Sequence, residues 1–379
     1  MITPKSLTLA VLVLAAGAIG FLWRDAYRYP AQLKLQPADV AITSPDATEP
    51  VRMLLTGDIM LGRSVQTQWE SRGTDFTFAR IRPDFVGQDL IMGNLEGPIL
   101  ENAPHTPTGS TRFSFPSAAV GMLKSAGFSA VSLANNHSFD YGKAGYEETG
   151  QLLDRAGIGH FGHPLKIDTD QSAYQVRVRD NTVRLLAVNA TFPSFSLAQA
   201  TTTVAEMKSL MPTAYVVVLI HWGEEYQLQA NQIQQNIAHA LINAGADTVV
   251  GHHPHVVENI EVYRGRPIFY SLGNFIFDQY FATETQRGLL LKTEIYPMRA
   301  AYELVPVKIN RSQPQVMGAS TSSWQAASTS SQPASGSGGQ AGQATSARTE
   351  FLEALAARSA PELHDQIISG RLELARFPR

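Results

Sequence analysis

The chain has 379 residues, a formal net charge of −3 and no cysteine. A net charge this small, with no basic cluster interleaved with aromatic residues, argues against nucleic acid as a partner. The absence of cysteine excludes disulfides, thiolate nucleophiles and cysteine-ligated zinc.

A candidate membrane segment lies near the start of the chain. Leu7–Trp23 is a run of seventeen residues without charge that follows Lys5, which is the short limit for crossing a bilayer. Ala16-Gly-Ala18 has the form of a signal-peptidase site. Residues 1–23 are therefore predicted to be a signal anchor or a cleaved signal peptide, with the anchor favoured because the apolar run continues past that site. Either reading predicts a membrane-anchored or exported, extracytoplasmic body on the periplasmic or cell-surface side.

The rest of the chain divides by composition. Residues 24–50 contain several prolines and few apolar clusters, which is typical of a stalk. Residues 51–311 are predicted to form the folded domain. Residues 312–347 are rich in Ser, Gln, Gly, Ala and Thr and predict a flexible low-complexity linker. Residues 348–379 return to helical spacing and predict a helical tail, which docks either on the body or on a partner.

Within the folded domain, five apolar runs each end in polar residues of metal-ligand type. The five runs are Val51–Asp58, Leu90–Glu96, Ala130–His137, Val216–His221 and Thr248–His255. Short apolar runs of this kind are typical of buried, mainly parallel strands. Since ligands bind beyond the carboxyl ends of such strands, we expect the polar residues to converge on one rim of the sheet.

Helices and hairpins are predicted between these runs. Helical spacing covers residues 117–127, 143–157 and 230–245, and each segment closes at a glycine. Turn signals at Asp180-Asn181 and Arg264-Gly265 predict two hairpins, and residues 289–295 and 302–309 predict late strands. Strand, helix, strand and then hairpins favour an α/β fold with two sheets faced by helices over a single doubly wound sheet.

Each polar residue also has a simpler interpretation when it is taken alone. Asp58 can be a helix N-cap, Glu96 a solvated loop carboxylate, and His221 a structural hydrogen-bonding residue. Together, however, the clusters supply carboxylate oxygen, amide oxygen and imidazole nitrogen. This donor set suits a divalent Mn, Fe, Zn or Mg ion better than a soft metal.

The polar clusters form a series of motifs that resembles a known family. The motifs are Gly57-Asp-Ile-Met60, Asn94-Leu-Glu96, Ala134-Asn-Asn-His-Ser-Phe-Asp-Tyr-Gly142, His221-Trp-Gly-Glu-Glu-Tyr226, Gly251-His-His-Pro-His255 and Tyr270-Ser-Leu-Gly-Asn274. In order and spacing they resemble the CapA-type capsule synthesis family, which is tied to poly-γ-glutamate production. The likeness extends from about Val51 to Ile309.

That family is in turn similar to calcineurin-like metallophosphoesterases. The resemblance implies a four-layer α/β/β/α metallophosphoesterase-like sandwich with one or two divalent metal ions on the sheet rim. It implies His137 as the catalytic acid. The metal ligands that it implies are Asp58, Glu96, Asn136, His221, His253 and His255.

Two departures from the phosphoesterase pattern are visible. Met60 occupies the position of a histidine two residues after the first aspartate, and a thioether does not replace an imidazole on a hard ion. The bridging aspartate falls near Asn94 or Glu96, and Glu96 is the better choice. We therefore expect one of the two ions to be weakly held or absent.

Four further charged residues lie near the motifs. Glu224 and Glu225 follow His221, where one can orient a ligand or meet substrate, although a solvated role is favoured for Glu225. Arg63 and Arg112 can hold an anionic substrate, but a surface role is favoured for both. The resemblance to the CapA-type family implies a protein for the synthesis, export or anchoring of an anionic capsule polymer such as poly-γ-glutamate. Its implied partners are that polymer, or a phosphate or amide substrate, and capsule-synthesis subunits. The alternatives are a metal-dependent phosphoesterase or amidase unrelated to capsule, and a non-catalytic polymer-binding scaffold.

Overall fold

The computed structural model describes residues 37–42, 49–167, 169–318 and 338–375. The strands, in chain order, are β1 (Pro37–Ile42), β2 (Val51–Ile59), β3 (Leu90–Leu95), β4 (Ile99–Leu100), β5 (Phe115–Pro116), β6 (Ala130–Ser132), β7 (Gly159–Phe161), β8 (Ala173–Val178), β9 (Asn181–Asn189), β10 (Tyr215–His221), β11 (Thr248–His252), β12 (Ile260–Tyr263), β13 (Arg266–Phe269), β14 (Asn274–Ile276), β15 (Arg287–Ile295), β16 (Arg299–Asn310), β17 (Gln313–Val316) and β18 (Arg371–Ala375). The α-helices are α1 (Arg63–Arg72), α2 (Ala118–Ala126), α3 (Gly142–Ala156), α4 (Thr169–Ser172), α5 (Leu197–Leu210), α6 (Gln232–Ala244), α7 (Gly338–Arg358) and α8 (His364–Ser369).

The strands form two large sheets. The first has seven strands in the order β1-β8-β9-β10-β11-β13-β12. The second has nine strands, with the order β17-β16-β15-β2-β3-β6-β7 and with β14 beside β2 and β18 beside β16. Strands β9, β10, β11 and β13 are parallel, as are β14, β2, β3, β6 and β7. Each sheet therefore has one rim along which the carboxyl ends of several parallel strands lie side by side.

One apolar core joins the two sheets. It contains Met53 and Leu55 from β2 together with Val217 and Leu219 from β10. Leu54, between the two β2 residues, faces the opposite way and packs in a second cluster with residues of α1, α2 and α3. This alternation is the two-residue period of a strand that is buried on both faces.

The other face of the first sheet carries helices α5 and α6. Val216 and Val218 alternate with the core-facing residues of β10 and are completely buried. Helix α5 contacts β9 and β10, helix α6 contacts β11, and the two helices contact each other. Two sheets packed face to face with helices outside them confirm the predicted mixed α/β fold with two sheets.

The predicted helices and hairpins of the domain match the structure closely. The segments 117–127, 143–157 and 230–245 correspond to α2, α3 and α6. The turns at Asp180-Asn181 and Arg264-Gly265 join β8 to β9 and β12 to β13, both antiparallel. Helix α6 also begins with a capping box, in which Asn231 and Gln234 bind each other's backbone N–H groups.

The segment boundaries differ from the predicted ones at three places. Strand β1 lies within the predicted stalk and pairs with β8, and β17 lies within the predicted linker and pairs with β16. The predicted helical tail ends in a strand, β18, which also pairs with β16. The cause is the same each time, because an edge strand offers unpaired backbone groups to any extended segment, whatever its composition.

The C-terminal segment docks on the body. Helix α7 starts at Gly338, ten residues before the predicted start of the tail. Its residues Phe351, Leu352 and Leu355 are buried in the core that joins the two sheets. Burial of three large apolar side chains is worth several kcal/mol, on the order of 2 kcal/mol each, which explains why the segment folds back.

The predicted signal anchor or signal peptide at residues 1–23, and most of the predicted stalk, lie outside the described residues. Among the residues that are described, no helix has both the length and the apolar character required to cross a membrane.

A close backbone approach beside β2 requires glycine. A Cβ atom on Gly57 would lie 1.9 Å from the carbonyl oxygen of Gly273, and this carbonyl accepts a 3.0 Å hydrogen bond from Asp58 N. We predict that Gly57→Ala lowers the free energy of unfolding by about 1–3 kcal/mol, measured by urea unfolding, because the backbone must shift. Gly121→Ala is the matched control. No heavy atom lies within 4 Å of its Cβ position, so it should leave stability unchanged or raise it by about 0.5–1 kcal/mol. Equal unfolding midpoints for the two variants would contradict the proposed close approach.

Candidate metal centre

The carboxyl ends of the two sheets meet at one rim. Asp58 at the end of β2 lies opposite Asn94 of β3 and Asn274 of β14. His221 at the end of β10 lies opposite His252 at the end of β11. Because the sheets pack face to face, the polar ends of both are brought into the same region.

Asp58 links the two sheets through hydrogen bonds. Its side chain is completely buried. It accepts hydrogen bonds from Asn94 Nδ2 at 2.9 Å and from the backbone N of His253 at 3.2 Å, and His255 Nδ1 lies 3.5 Å away. Burial alone would raise the pKa of Asp58, but the His255 hydrogen bond and the charges of His252 and His255 outweigh it and lower the pKa. Asp58 is therefore a carboxylate, not a neutral acid, at neutral pH.

Glu96 is a buried carboxyl group without hydrogen bonds. It is 0% exposed, and neither of its oxygens has a hydrogen-bond partner among the described residues. Its nearest basic atoms are His255 Nε2 at 3.6 Å and His137 Nε2 at 3.9 Å from Oε1. Burial, together with the negative charges of Asp58 and Glu225, raises its pKa well above the ordinary value despite the opposing charge of His255.

The carboxyl group of Glu96, which has no hydrogen-bond partner among the described residues, is the test of whether the residues fit a metal ion. A buried carboxylate is costly without a hydrogen bond or a cation, and orphaned polar atoms are rare in native proteins. Two free oxygens between Asp58 and several histidines supply the hard donors that a divalent ion takes. The residues present therefore fit a divalent metal ion.

The pKa values of the histidines at the rim are shifted in opposite directions. Burial and neighbouring histidines lower the pKa of His221 well below its ordinary value. Burial and the charge of His255 lower the pKa of His253 to about 4. Both rings are therefore neutral at pH 7, which is the state that a metal ligand needs. For His255, burial lowers the pKa, but Glu96 and Asp58 outweigh it and raise the pKa to about 9.

Asn136 and His221 face one another across the rim. His221 Nε2 lies 2.8 Å from Asn136 Oδ1, and His221 Nδ1 lies 3.3 Å from Asn94 Nδ2. An imidazole nitrogen and an amide oxygen at this separation are placed to share one ion. In this structure His221 Nε2 and Asn136 Oδ1 form a hydrogen bond.

Within the part of the chain that the structure describes, two sets of side chains are close enough to hold a metal ion. One is Asp58, Glu96 and His221, and the other is Glu225, His253 and His255. Within each set, one donor atom per residue lies within 4.8 Å of the others. The two sets adjoin, since His255 is 3.6 Å from Glu96 and the rings of His221 and His253 are 4.7 Å apart.

The turn that carries the last two histidines is strained. The φ angles of His253 and His255 are 98° and 58°, and that of nearby Tyr226 is 66°. Positive φ is uncommon for residues with a side chain and costs about 1–3 kcal/mol each. Residues held in this way cluster at functional sites, where the surrounding fold fixes them.

His137 lies at the edge of the same cluster. Its Nδ1 is 2.9 Å from Asp140 Oδ2, and its ring stacks on Phe113 at 4.0 Å. A carboxylate at Nδ1 fixes the proton there and directs Nε2 towards Glu96. The loop that carries His137 is held by Asn135, which donates to Asn94 Oδ1 at 3.0 Å.

The structure thus brings together the residues singled out in the sequence. Asp58, Glu96, Asn136, His137, His221, His253 and His255 all lie at this rim. Met60 does not, because it is buried in the apolar cluster under α1 to α3. His252 belongs to neither set of donors, and its Nε2 faces the carbonyl oxygen of Thr56 at 3.1 Å.

Some site residues were missed or assigned another role. Asn94, which the sequence offers as the alternative to Glu96, fixes Asp58, and Asn274, the first residue of β14, fixes His255. Glu225 was interpreted as solvated, yet it belongs to the second set of donors. Arg63 is buried and paired with Asp278. Arg112 is exposed, as predicted, and donates to the carbonyl oxygen of Asp140 at 2.7 Å.

Two packed sheets with a buried group of Asp, Glu and His at their common rim define a mixed α/β protein with a candidate metal centre. Residues 52–279 match the family described as bacterial capsule synthesis protein PGA_cap. The chain belongs to this family.

Several curated proteins are similar to this chain. The PGA biosynthesis protein CapA of Bacillus subtilis (strain 168) is 32% identical over 330 residues, which cover 82% of this chain and 83% of that protein. The capsule biosynthesis protein CapA of Bacillus anthracis is 33% identical over 292 residues, 70% of this chain and 69% of that protein. A Mycobacterium tuberculosis (strain ATCC 25618 / H37Rv) protein described as a probable polyglutamine synthesis accessory protein is 26% identical over 222 residues, 51% of this chain and 58% of that protein.

Proposed function

We propose that this protein is a membrane-anchored, extracytoplasmic protein that acts in the synthesis, export or anchoring of an anionic capsule polymer such as poly-γ-glutamate. Its family and the names of its relatives support this role. The apolar run at Leu7–Trp23 supports the anchor and the location outside the cytoplasm. Other subunits of a capsule-synthesis assembly are the partners that this role requires.

A divalent metal centre is part of the proposal. The ion is Mn, Fe, Zn or Mg, and its proposed ligands are Asp58, Glu96, Asn136, His221, His253 and His255. The observation that carries this proposal is Glu96, a buried carboxyl group with no hydrogen-bond partner among the residues described, beside Asp58 and His255. The layering of two sheets between helices also supports the likeness to metallophosphoesterases. When bound, such an ion polarises a phosphoryl or carbonyl group and activates water.

The side chains around the ligands have their own tasks. Asp140 holds the proton of His137 on Nδ1, so that Nε2 faces the centre and can carry the proton that a leaving group needs. Phe113 stacks on the His137 ring and keeps water from one of its faces. Arg112 is exposed and donates to the carbonyl oxygen of Asp140, the partner of His137, so its guanidinium group can attract an anionic substrate from solvent.

The test combines metal content with polymer production. In cells that lack the gene, we expect the full-length wild-type protein to restore cell-surface polymer, measured as glutamate released by acid hydrolysis. The double variant His253→Ala/His255→Ala should bind clearly less metal than wild type by elemental analysis and should not restore the polymer, because both imidazoles are lost.

The control for this test is His239→Ala. His239 lies on α6 and pairs with Glu261 at 2.7 Å, apart from both sets of donors. This variant should keep its metal and restore the polymer. Unchanged metal content in the double variant would refute the ligand assignment. Full restoration of the polymer by the double variant would refute a role for the site in that process.

A second candidate function is hydrolysis of a phosphodiester or an amide with no role in capsule assembly. The pairing of His137 with Asp140 favours it, because this is the arrangement of a general acid held beside buried carboxylates. We predict that the manganese-loaded protein hydrolyses a chromogenic phosphodiester. His137→Gln should lower kcat by about 10²–10⁴-fold without loss of metal, since His137 is not a proposed ligand.

Two outcomes would contradict the proposed hydrolase activity, each for a different reason. Equal kcat values for wild type and His137→Gln would refute the role of His137 as acid. If the protein retains no stoichiometric metal after incubation with manganese, it is instead a non-catalytic, polymer-binding scaffold. The buried Met60 favours this alternative.

A further inference from the structure

We propose that Glu225 is a metal ligand and that, with His253 and His255, it holds a second divalent ion beside the one bound by Asp58, Glu96 and His221. This inference rests on the proposed metal centre and extends it. It gives the site two adjoining ion positions, of which the second uses a carboxylate outside the phosphoesterase-like ligand set.

The donor atoms of these three residues lie close to one another. One carboxylate oxygen of Glu225 and one ring nitrogen each of His253 and His255 lie within 4.8 Å of one another. Donor atoms bound to a common zinc-like ion at about 2.0–2.2 Å are roughly 3–4 Å apart. Side-chain rotations that move each donor atom by less than about 1 Å therefore bring this set into coordination distance of one ion.

The two histidines have nitrogen atoms available for an ion. Asn274 donates through Nδ2 to Gln279 Oε1 at 3.0 Å and to the carbonyl oxygen of Thr285 at 2.9 Å. Its Oδ1 therefore faces His255 Nδ1 at 3.0 Å, which fixes one proton on Nδ1, so that Nε2, 3.6 Å from Glu96 Oε1, is the nitrogen that gives up its proton to an ion. His253 Nδ1 is buried and has no hydrogen-bond partner within the described ranges.

Backbone hydrogen bonds hold Glu225 beside these histidines. The N–H of Tyr226 donates to the carbonyl oxygen of Pro254, between the two histidines, at 2.8 Å, and Trp222 N donates to the carbonyl oxygen of His252 at 3.1 Å. The segment from Trp222 to Tyr226 is thus tied at both ends to the turn that carries His253 and His255. The positive φ of Tyr226 indicates that this placement is imposed by the fold.

The lack of a donor at Met60 and the positive charge of two divalent ions both favour a third carboxylate as a metal ligand. Met60 is buried in the apolar core and offers no donor to the rim. Asp58 and Glu96 bring two negative charges, while neutral imidazole and amide ligands bring none. Two divalent ions carry four positive charges, so Glu225 supplies a third carboxylate at the position whose other donors are both imidazoles.

Glu224 provides a matched control. It is exposed, like Glu225, and the two residues are adjacent and chemically identical. Its carboxylate lies 3.5 Å from Asn231 Nδ2 at the start of α6, and it belongs to neither set of donors. A long-range electrostatic effect would respond to both glutamates, whereas ligation responds to Glu225 alone.

The experiment measures Mn²⁺ bound by the full-length chain, by equilibrium dialysis with elemental analysis and by electron paramagnetic resonance. Wild type should bind two ions per chain and show the spectrum of a spin-coupled pair. Glu225→Gln should bind one ion tightly, with the second weakened about tenfold or more, and should lose the coupled spectrum. Glu224→Gln should match wild type, and the metal-free forms of all three should unfold at the same temperature.

The contrary outcomes separate this inference from the proposed metal centre. Two tightly bound ions and a coupled spectrum in Glu225→Gln would overturn the assignment of Glu225. A single ion in wild type would overturn the second position and leave the first intact. No ion in wild type would overturn the metal centre itself, and equal weakening in Glu224→Gln would show a charge effect in place of ligation.

Discussion

The burial of two carboxyl groups, Asp58 and Glu96, at the rim shared by two sheets is the constraint on which the rest of the site depends. Asp58 is stabilised by hydrogen bonds from Asn94 and His253, whereas Glu96 has no hydrogen-bond partner among the described residues. A charge in this position is costly unless a cation shares it. The neutral imidazoles of His221 and His253, which burial keeps unprotonated, are the complementary part of a cation site.

The topology of the two sheets fixes the positions of the donor atoms in the site. β2 and β3 deliver Asp58 and Glu96 from one sheet, and β10 and β11 lead to the histidines of the other. The apolar core between the sheets fixes their separation, and the backbone contact at Gly57 is too close for any side chain. The strain at His253 and His255 is carried by this rigid frame. Donor atoms on strand ends are therefore held with less freedom than donors on loops alone.

Much of the fold and of the site could be predicted from the sequence, because apolar runs and terminal polar residues are local signals. The strand ends, three main helices and the two hairpins follow from such patterns. The pairing of β1, β17 and β18 could not be predicted, since an edge strand accepts extended segments of any composition. Glu225 looks solvated in the sequence, because its loop reaches the histidine turn through the backbone hydrogen bonds of Trp222 and Tyr226, which no local sequence pattern encodes.

The most direct test of a cation at the buried carboxyl groups is anomalous X-ray diffraction from crystals of the full-length protein grown with Mn²⁺. We expect a strong anomalous peak within about 2.0–2.3 Å of a Glu96 oxygen and of donors from Asp58 and His221. Well-ordered Glu96 oxygens with no anomalous peak beside them at saturating Mn²⁺ would contradict this account.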